Sequence, residues 1–547
     1  MGTIPDRFAD DPRFGMADAH EYLERRRISR RRLLQGGLAL AAGAVAGPTL
    51  WRQPVGAADV AAGGVHLTYG PDPATTMAVT WSTPADVANP LLDLGLDGAF
   101  GAVVPAETRA VAGTTSRYHH AVLTGLQPGT PYRYRVRHDG LPAPLEGTLA
   151  TAPAPTNVGP FTFTAFGDQG VGADAVATTT QALAQKPAFH LHAGDLCYAY
   201  SSGNGTAGPT DQAVWDRWFA QVAPLASKAP WMPAVGNHEM EAGYGPQGYG
   251  GFLSRFSLPA NGPSSVISTF RYGNVAVLNL DGNDASNEFA ANRGYTAGAQ
   301  DAWIAATLAA YRADPTIDFV VAQFHHCSYC TNAVHASDGG VRDRWSPLFD
   351  RFAVDLVING HNHCYERTHP LKAGAVTAEV ADGGTVDPAT QGTTYITAGG
   401  GGQAAYQAAL FPASYVTNDV GARVPEQAPW SATRYLDVSL LAIDVRPPGP
   451  DGVTTMTLRA ITPQGAPIET VTLRRVRPVT PAVAGASSPV GSARPAAGPA
   501  AEAATATLPV TGASTDVAVA AGTAVVVTGV ALAARALVRQ AEVLDPT

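Results

Sequence analysis

Residues 161–170 read Phe161-Thr162-Phe163-Thr164-Ala165-Phe166-Gly167-Asp168-Gln169-Gly170, and residues 189–198 read Phe189-His190-Leu191-His192-Ala193-Gly194-Asp195-Leu196-Cys197-Tyr198. Each is an apolar run of strand length that stops at a Gly-Asp pair. The pattern recurs at Asn237 and His238 in Gly-Asn-His-Glu, at His325 after Phe319 to Phe324, and at His361 and His363 in Gly-His-Asn-His after Leu356 to Ile358. A single Gly-Asp pair is usually a turn, and a single histidine is usually a hydrogen-bonded core residue. Five such tips in one domain converge on one edge of a sheet, where open α/β folds place their sites. Another apolar run spans Val275 to Leu280, and helix-like stretches at Ala173 to Lys186, Gln300 to Arg312 and Val341 to Phe352 alternate with the strands. This predicts an α/β layered domain over 156–478. No internal repeat of fixed period is present.

The donor types at those tips are carboxylate, amide oxygen, imidazole and phenolate, with no thiolate. That set favours borderline-to-hard cations such as iron, zinc or manganese. A carboxylate that bridges two cations holds them about 3.5–4 Å apart, the spacing of two-metal hydrolytic sites. Upstream, over 61–155, β-rich runs at Val65 to Tyr69, Met77 to Ser82 and Tyr132 to Val136 are separated by Pro/Gly/Asp turns, which predicts a small sandwich. Leu126-Gln127-Pro128-Gly129-Thr130-Pro131-Tyr132-Arg133-Tyr134 resembles a turn and strand of fibronectin type III domains, its tyrosines read as core and corner residues.

From about Val65 to Arg475 the ordered motifs resemble the purple acid phosphatases, within the binuclear metallophosphoesterases. Val65-His66-Leu67-Thr68-Tyr69-Gly70 and Val79-Thr80-Trp81 are similar to that family's N-terminal sandwich, and Gly360-His361-Asn362-His363-Cys364-Tyr365-Glu366-Arg367 to its last metal motif. Many other metallophosphoesterases have Asp-x-His at the first motif. Here it is Asp168-Gln169-Gly170, and Tyr198 stands where the purple phosphatases use a tyrosinate. The expected fold is therefore an N-terminal fibronectin III-like β-sandwich followed by an α/β metallophosphoesterase domain of two sheets flanked by helices.

The resemblance implies that Asp168, Asp195, Tyr198 and His363 hold Fe(III), that Asp195, Asn237, His325 and His361 hold a divalent iron, zinc or manganese ion, and that Asp195 bridges. It implies acid phosphatase activity on phosphate monoesters, a metal-bound hydroxide attacking phosphorus in line while two cations neutralise the equatorial oxygens. His238 is then expected to face the substrate, the other reading being a structural role beside the ligands. In Val334-His335-Ala336-Ser337-Asp338-Gly339, His335 and Asp338 match a family run of histidines and an acid, with Val334 replacing the first histidine. His238 and His335 are thus the candidate catalytic groups, and His326 and Asp338 the candidate substrate contacts. His326 either touches substrate or packs in its loop. The run Gly399 to Gly402 is read as a tight turn under the site, because a phosphate-cradling loop needs a following helix and lysine. A phosphodiesterase or nucleotide hydrolase on the same metals is the rival enzyme, depending on how Ser201 to Gly208 and Glu241 to Gly251 close the cleft. A surface adhesion protein with a structural metal site is the rival of another class.

The chain has 547 residues, 36 basic against 45 acidic, for a net charge of −9. The length calls for two or three folded units, and the acidity excludes a nucleic-acid partner. Ser29-Arg30-Arg31-Arg32-Leu33-Leu34-Gln35, an apolar run from Gly36 to Gly47, and Ala44-Val45-Ala46 resemble a twin-arginine signal over 1–46. A basic helix on some surface is the alternative. Leu508, Pro509, Val510, Thr511 and Gly512 precede an apolar stretch from Val517 to Ala534 and then Arg535 and Arg539. Over 508–547 this resembles a sortase sorting signal, with a plain C-terminal membrane anchor as the alternative. The Pro/Ala-rich stretch 479–507 is an extended spacer. The expected partners are phosphorylated small molecules, the twin-arginine translocase, and sortase with peptidoglycan; the expected location is extracellular, anchored to the cell wall. Cys197, Cys327, Cys330 and Cys364 allow three full pairings, and a local staple or free thiols is the reading.

Overall fold

The computed structural model describes residues 60–96, 99–200, 203 and 210–477. The twin-arginine-like stretch, the spacer and the Leu508 to Gly512 motif lie outside the described residues, as does the Ser201 to Gly208 loop except for Gly203. Strands form at Phe161–Phe166, His190–His192, Val275–Asn279, Phe319–Gln323 and Leu356–Asn359, and helices at Ala173–Ala184, Ala299–Ala313 and Gly339–Arg351. Two more helices, Gln212–Ala226 and Gly250–Arg255, did not emerge from the sequence periodicity.

These elements build two seven-stranded sheets. In the first, Phe161–Phe166 lies between His190–His192, which is parallel to it, and Leu440–Arg446, which is antiparallel. In the second, Val275–Asn279, Phe319–Gln323, Leu356–Asn359 and Thr394–Ala398 run parallel as successive neighbours. Parallel neighbours release their carboxyl ends at one edge, and there the chain leaves for Asp168, Asp195, His325 and His361. The apolar runs lack alternation because both faces of each sheet are covered. Within Phe319–Gln323, Phe319 and Val321 join the core with Phe163 and Leu191, while Val320 and Ala322 join Ile304, Val341 and Trp345 under the helices.

Residues 63–150 form two four-stranded antiparallel sheets whose buried faces carry Leu67, Val79, Trp81, Leu92 and Val136. Tyr132 is the corner residue: its hydroxyl accepts the Gln127 N–H at 2.8 Å. Tyr134 reaches into the α/β body instead, donating to Ser227 O at 2.7 Å. Tyr69 packs on Phe189 and Phe270, so one continuous core joins sandwich and body. All four cysteines are free and buried, with Cys327, Cys330 and Cys364 in one cluster. Among the described residues no helix is long and apolar enough to cross a membrane.

The seam between sandwich and body carries a pH prediction. His120 Nδ1 lies 2.9 Å from Thr80 Oγ1 and Nε2 lies 3.0 Å from Ser254 O, partners that suit a neutral ring. Burial, then the nearby Arg109 charge, lowers this imidazole from 6.5 to about 3. A base held below its unfolded value stabilises the fold fully above that value and loses the contribution as pH falls from 6.5 towards 3. Each such group sets a slope of up to about 1.4 kcal/mol per pH unit. Urea unfolding from pH 7 to 4 should show stability falling, with about one proton fewer taken up on unfolding in His120→Asn. An unchanged proton count would remove His120 from the linkage.

Candidate metal centre

The seven ligand candidates come together. Tyr198 donates to Asp168 Oδ1 at 3.2 Å and its hydroxyl lies 3.0 Å from His363 Nε2, which is 3.6 Å from the same Asp168 oxygen. His325 Nε2 is 3.0 Å from Asn237 Oδ1, 3.1 Å from His361 Nδ1 and 3.2 Å from Asp195 Oδ2. The two groups adjoin, with Asp168 Oδ1 4.0 Å from His325 Nε2. Four of the seven, Asp168, Asp195, Tyr198 and His361, have φ between 53° and 69°. Left-handed non-glycine residues cost about 1–3 kcal/mol each and collect where function over-determines the backbone. Close approach also dictates two glycines: a Cβ on Gly236 would collide with the Asp195 carboxylate, and one on Gly399 with Asn362 O. The glycine run thus packs directly beneath the ligands.

The donor chemistry fits cations. His325 Nδ1 is 2.8 Å from Ala193 O and His363 Nδ1 is 2.9 Å from Ala404 O. A carbonyl only accepts, so each Nδ1 carries the proton and each Nε2 lone pair faces the cluster. In His361 the roles reverse, Nε2 lying 2.9 Å from the Glu288 carboxylate and Nδ1 facing inward. Inward lone pairs on His325 and His361 only 3.1 Å apart, beside two buried carboxylates, repel unless a positive charge intervenes. Failing a metal, a proton must serve: burial alone would lower His325, yet Asp195 and Asp168 push it up to about 10. Burial, then the Asp168 and Asp195 charges, holds the Tyr198 phenol well above its usual value, so its ionisation calls for a strongly charged ion.

His238 stands at this cluster. Its N–H donates to Asp195 Oδ1 at 2.9 Å, its Nδ1 is 2.8 Å from Tyr200 O, and its ring is 4.3 Å from that of Tyr198. Nε2 is left 3.9 Å from Asp195 Oδ2. His335 packs against His361 with ring centroids 4.0 Å apart and the planes tilted by 34°, and its Nδ1 is 2.6 Å from Glu288 Oε1.

Two expected substrate contacts are corrected. The Asp338 carboxylate accepts from the Gly340, Asn287 and Glu288 N–H groups and from Ser286 Oγ, capping helix Gly339–Arg351 and leaving nothing for a ligand. His326 is fully buried against Phe289 and His361, the placing expected of a packing residue, with neither ring nitrogen hydrogen-bonded among the described residues. Burial, then the neighbouring His361, lowers it well below the usual histidine value.

Three contributors escaped the sequence reading. Glu239 accepts from the Asp195, Leu196 and Gly236 N–H groups, tying two ligand loops together, and burial with the Asp195 charge pushes it up to about 8. It stood in the Gly-Asn-His-Glu motif without a role. Tyr406 stacks on His363 at 4.0 Å and 10°. Glu288 joins His335 to His361. Tyr406 and Glu288 sit in irregular loops without any periodic signal.

Residues 63–148 match the purple acid phosphatase N-terminal domain, and residues 161–365 match the calcineurin-like phosphoesterases. An uncharacterized protein of Mycobacterium tuberculosis is 36% identical over 473 residues, covering 77% of this chain and 88% of that one. Purple acid phosphatase 23 of Arabidopsis thaliana is 28% identical over 50% of this chain and 64% of its own. A solved purple acid phosphatase from seeds of yellow lupin, Lupinus luteus, shares the fold with a TM-score of 0.56 at 21% identity, covering 76% of this chain and 75% of that one. The chain belongs to the calcineurin-like phosphoesterases that carry a purple acid phosphatase N-terminal domain, and it is a phosphoester hydrolase.

Proposed function

We propose that the chain is an acid phosphatase that hydrolyses phosphate monoesters at a binuclear centre of Fe(III) and a divalent iron, zinc or manganese ion. The observation that carries this reading is the set of three imidazoles, each anchored through its outer nitrogen, whose inner nitrogens surround Asp168, Asp195, Tyr198 and Asn237. Asp168, Tyr198, His363 and Asp195 would hold the ferric ion, and Asp195, Asn237, His325 and His361 the divalent one. When bound, the pair lowers the pKa of water and offsets charge on the phosphoryl oxygens. Tyr198 contributes a hard, anionic phenolate suited to a trivalent ion. His238, with Nδ1 tied to Tyr200 O, and His335, with Nδ1 tied to Glu288, each leave Nε2 without a hydrogen bond among the described residues; a second proton on that nitrogen would make His238 a donor to the phosphoryl group and would let His335 pass the proton to the leaving oxygen.

The rival on the same core is a phosphodiesterase or nucleotide hydrolase. A panel of 4-nitrophenyl phosphate, bis(4-nitrophenyl) phosphate and ATP, run on protein with its metals counted, separates them. A monoester kcat/KM at least tenfold above the diester value is expected, and the reverse order would overturn the proposal. Hydrolysis of none by fully metallated protein would favour an adhesion protein with a structural metal site.

Export by the twin-arginine translocase and sortase attachment to peptidoglycan complete the proposal, supported by Arg30 to Gln35 and Leu508 to Gly512. The described body closes by Arg477, so truncation before Leu508 should release active enzyme into the medium. Truncated protein that stays on the wall would reject the attachment.

A further inference from the structure

Glu288 divides its carboxylate between two imidazoles: Oε1 is 2.6 Å from His335 Nδ1 and Oε2 is 2.9 Å from His361 Nε2. The rings lie 4.0 Å apart at 34°. A carboxylate only accepts, so both of those nitrogens carry protons. The nitrogens left to act are His361 Nδ1, which faces the metal ligands, and His335 Nε2, which has no partner among the described residues. A side-chain amide in place of the carboxylate offers one acceptor and one donor, so one imidazole would have to turn. The loop that carries Glu288 is itself fixed. Asn287 N and Glu288 N donate to the Asp338 carboxylate at 3.0 and 3.2 Å, and Ser286 Oγ donates to it at 2.6 Å. Asp338 therefore acts on the site at one remove, by holding the loop of Glu288.

We propose that Glu288 is a positioning residue that orients two imidazoles at once, fixing His361 with Nδ1 as a metal ligand and leaving His335 Nε2 as the nitrogen that takes up a second proton and passes it on. The inference rests on the metallophosphatase reading above and ties metal affinity to proton transfer through one carboxylate. Ligand atoms of Glu288, His335 and His361 also lie within 4.8 Å of one another, a grouping able to hold a cation. A third ion there would require His361 to ligate through both ring nitrogens and lose its remaining proton, which makes the hydrogen-bonded carboxylate the better assignment.

The test compares the full chain with Glu288→Ala, Glu288→Gln and Glu288→Asp. Zn2+ affinity is measured by chelator competition without substrate, kcat and KM are measured at saturating metal, and thermal unfolding checks the fold. The alanine and glutamine variants should bind one of two Zn2+ equivalents about 10–100-fold more weakly and lose kcat by a similar factor with KM within twofold, while aspartate recovers part of both. If alanine prevents folding, the isosteric glutamine decides. Zn2+ affinity within twofold of wild type in folded Glu288→Gln overturns the proposal, as does a third Zn2+ equivalent that only Glu288 variants lose. The zinc measurement stands without turnover, so a chain that binds zinc as expected yet hydrolyses no phosphate ester would sink the phosphatase reading and leave the positioning role intact.

Discussion

Asp195→Ala will abolish phosphate ester hydrolysis and empty both metal positions. The carboxylate lies 3.2 Å from His325 Nε2, takes the His238 N–H on its other oxygen, and occupies a loop held by Glu239. Removing it leaves His325, Asn237 and His361 on one side and Asp168, Tyr198 and His363 on the other, without the anion that joins them. A cation pair bridged by one carboxylate loses charge compensation at both positions together. Asn237→Ala is the control, because Asn237 Oδ1 lies 3.0 Å from His325 Nε2 and its loss should release mainly the divalent ion. Metal analysis of both variants after dialysis checks the pair. Two ions retained in Asp195→Ala would sink its role as the bridge.

His238→Ala and His335→Ala should each lower turnover by roughly 10²-fold or more while metal content is preserved, the usual scale for a positioned proton donor or phosphate-orienting group. Both imidazoles have Nδ1 committed to an oxygen acceptor and Nε2 not hydrogen-bonded within the described protein. The two should differ in kind. His238 donates its backbone N–H to Asp195, a bond that alanine keeps, so the ligand loop survives the substitution. His335 packs on His361, and its loss also frees one oxygen of Glu288. Steady-state kinetics with counted metals checks both, and activity within twofold of wild type in both variants would remove them from the mechanism.

The gathering of the donors was legible because strand ends announce themselves: an apolar run, then a donor, with a glycine between them at Asp168, Asp195, Asn237 and His361. Parallel topology then gathers these ends whatever the loops between them do. Asp338 was misread because its spacing after His335 matches a family acid. Its place before Gly339-Gly340-Val341 is equally that of a helix N-cap, and the cap consumes the carboxylate. His326 follows a ligand directly, in a bend beyond the strand end where alternation no longer applies, and it packs beside Phe289 and His361. Glu288 and Tyr406 had no sequence signal, since a loop residue is placed by tertiary contacts and not by periodicity. Helix Gln212–Ala226 was missed for another reason: its buried Trp215, Trp218, Phe219 and Val222 stripe lies beside Pro224, which interrupts the helical pattern.

The ferric proposal turns on Tyr198, whose hydroxyl reaches both Asp168 and His363. Phenolate-to-Fe(III) charge transfer would give the proposed centre a visible colour. Iron and divalent metal counted per chain, together with the visible spectrum of native protein and of Tyr198→Phe, form the most direct measurement. One iron and one divalent ion are expected, with a pink-to-purple band that vanishes in Tyr198→Phe while the divalent ion is largely kept. A colourless native protein holding only zinc or manganese, or a band that survives Tyr198→Phe, would contradict the ferric assignment, and a single ion per chain would contradict the binuclear centre itself.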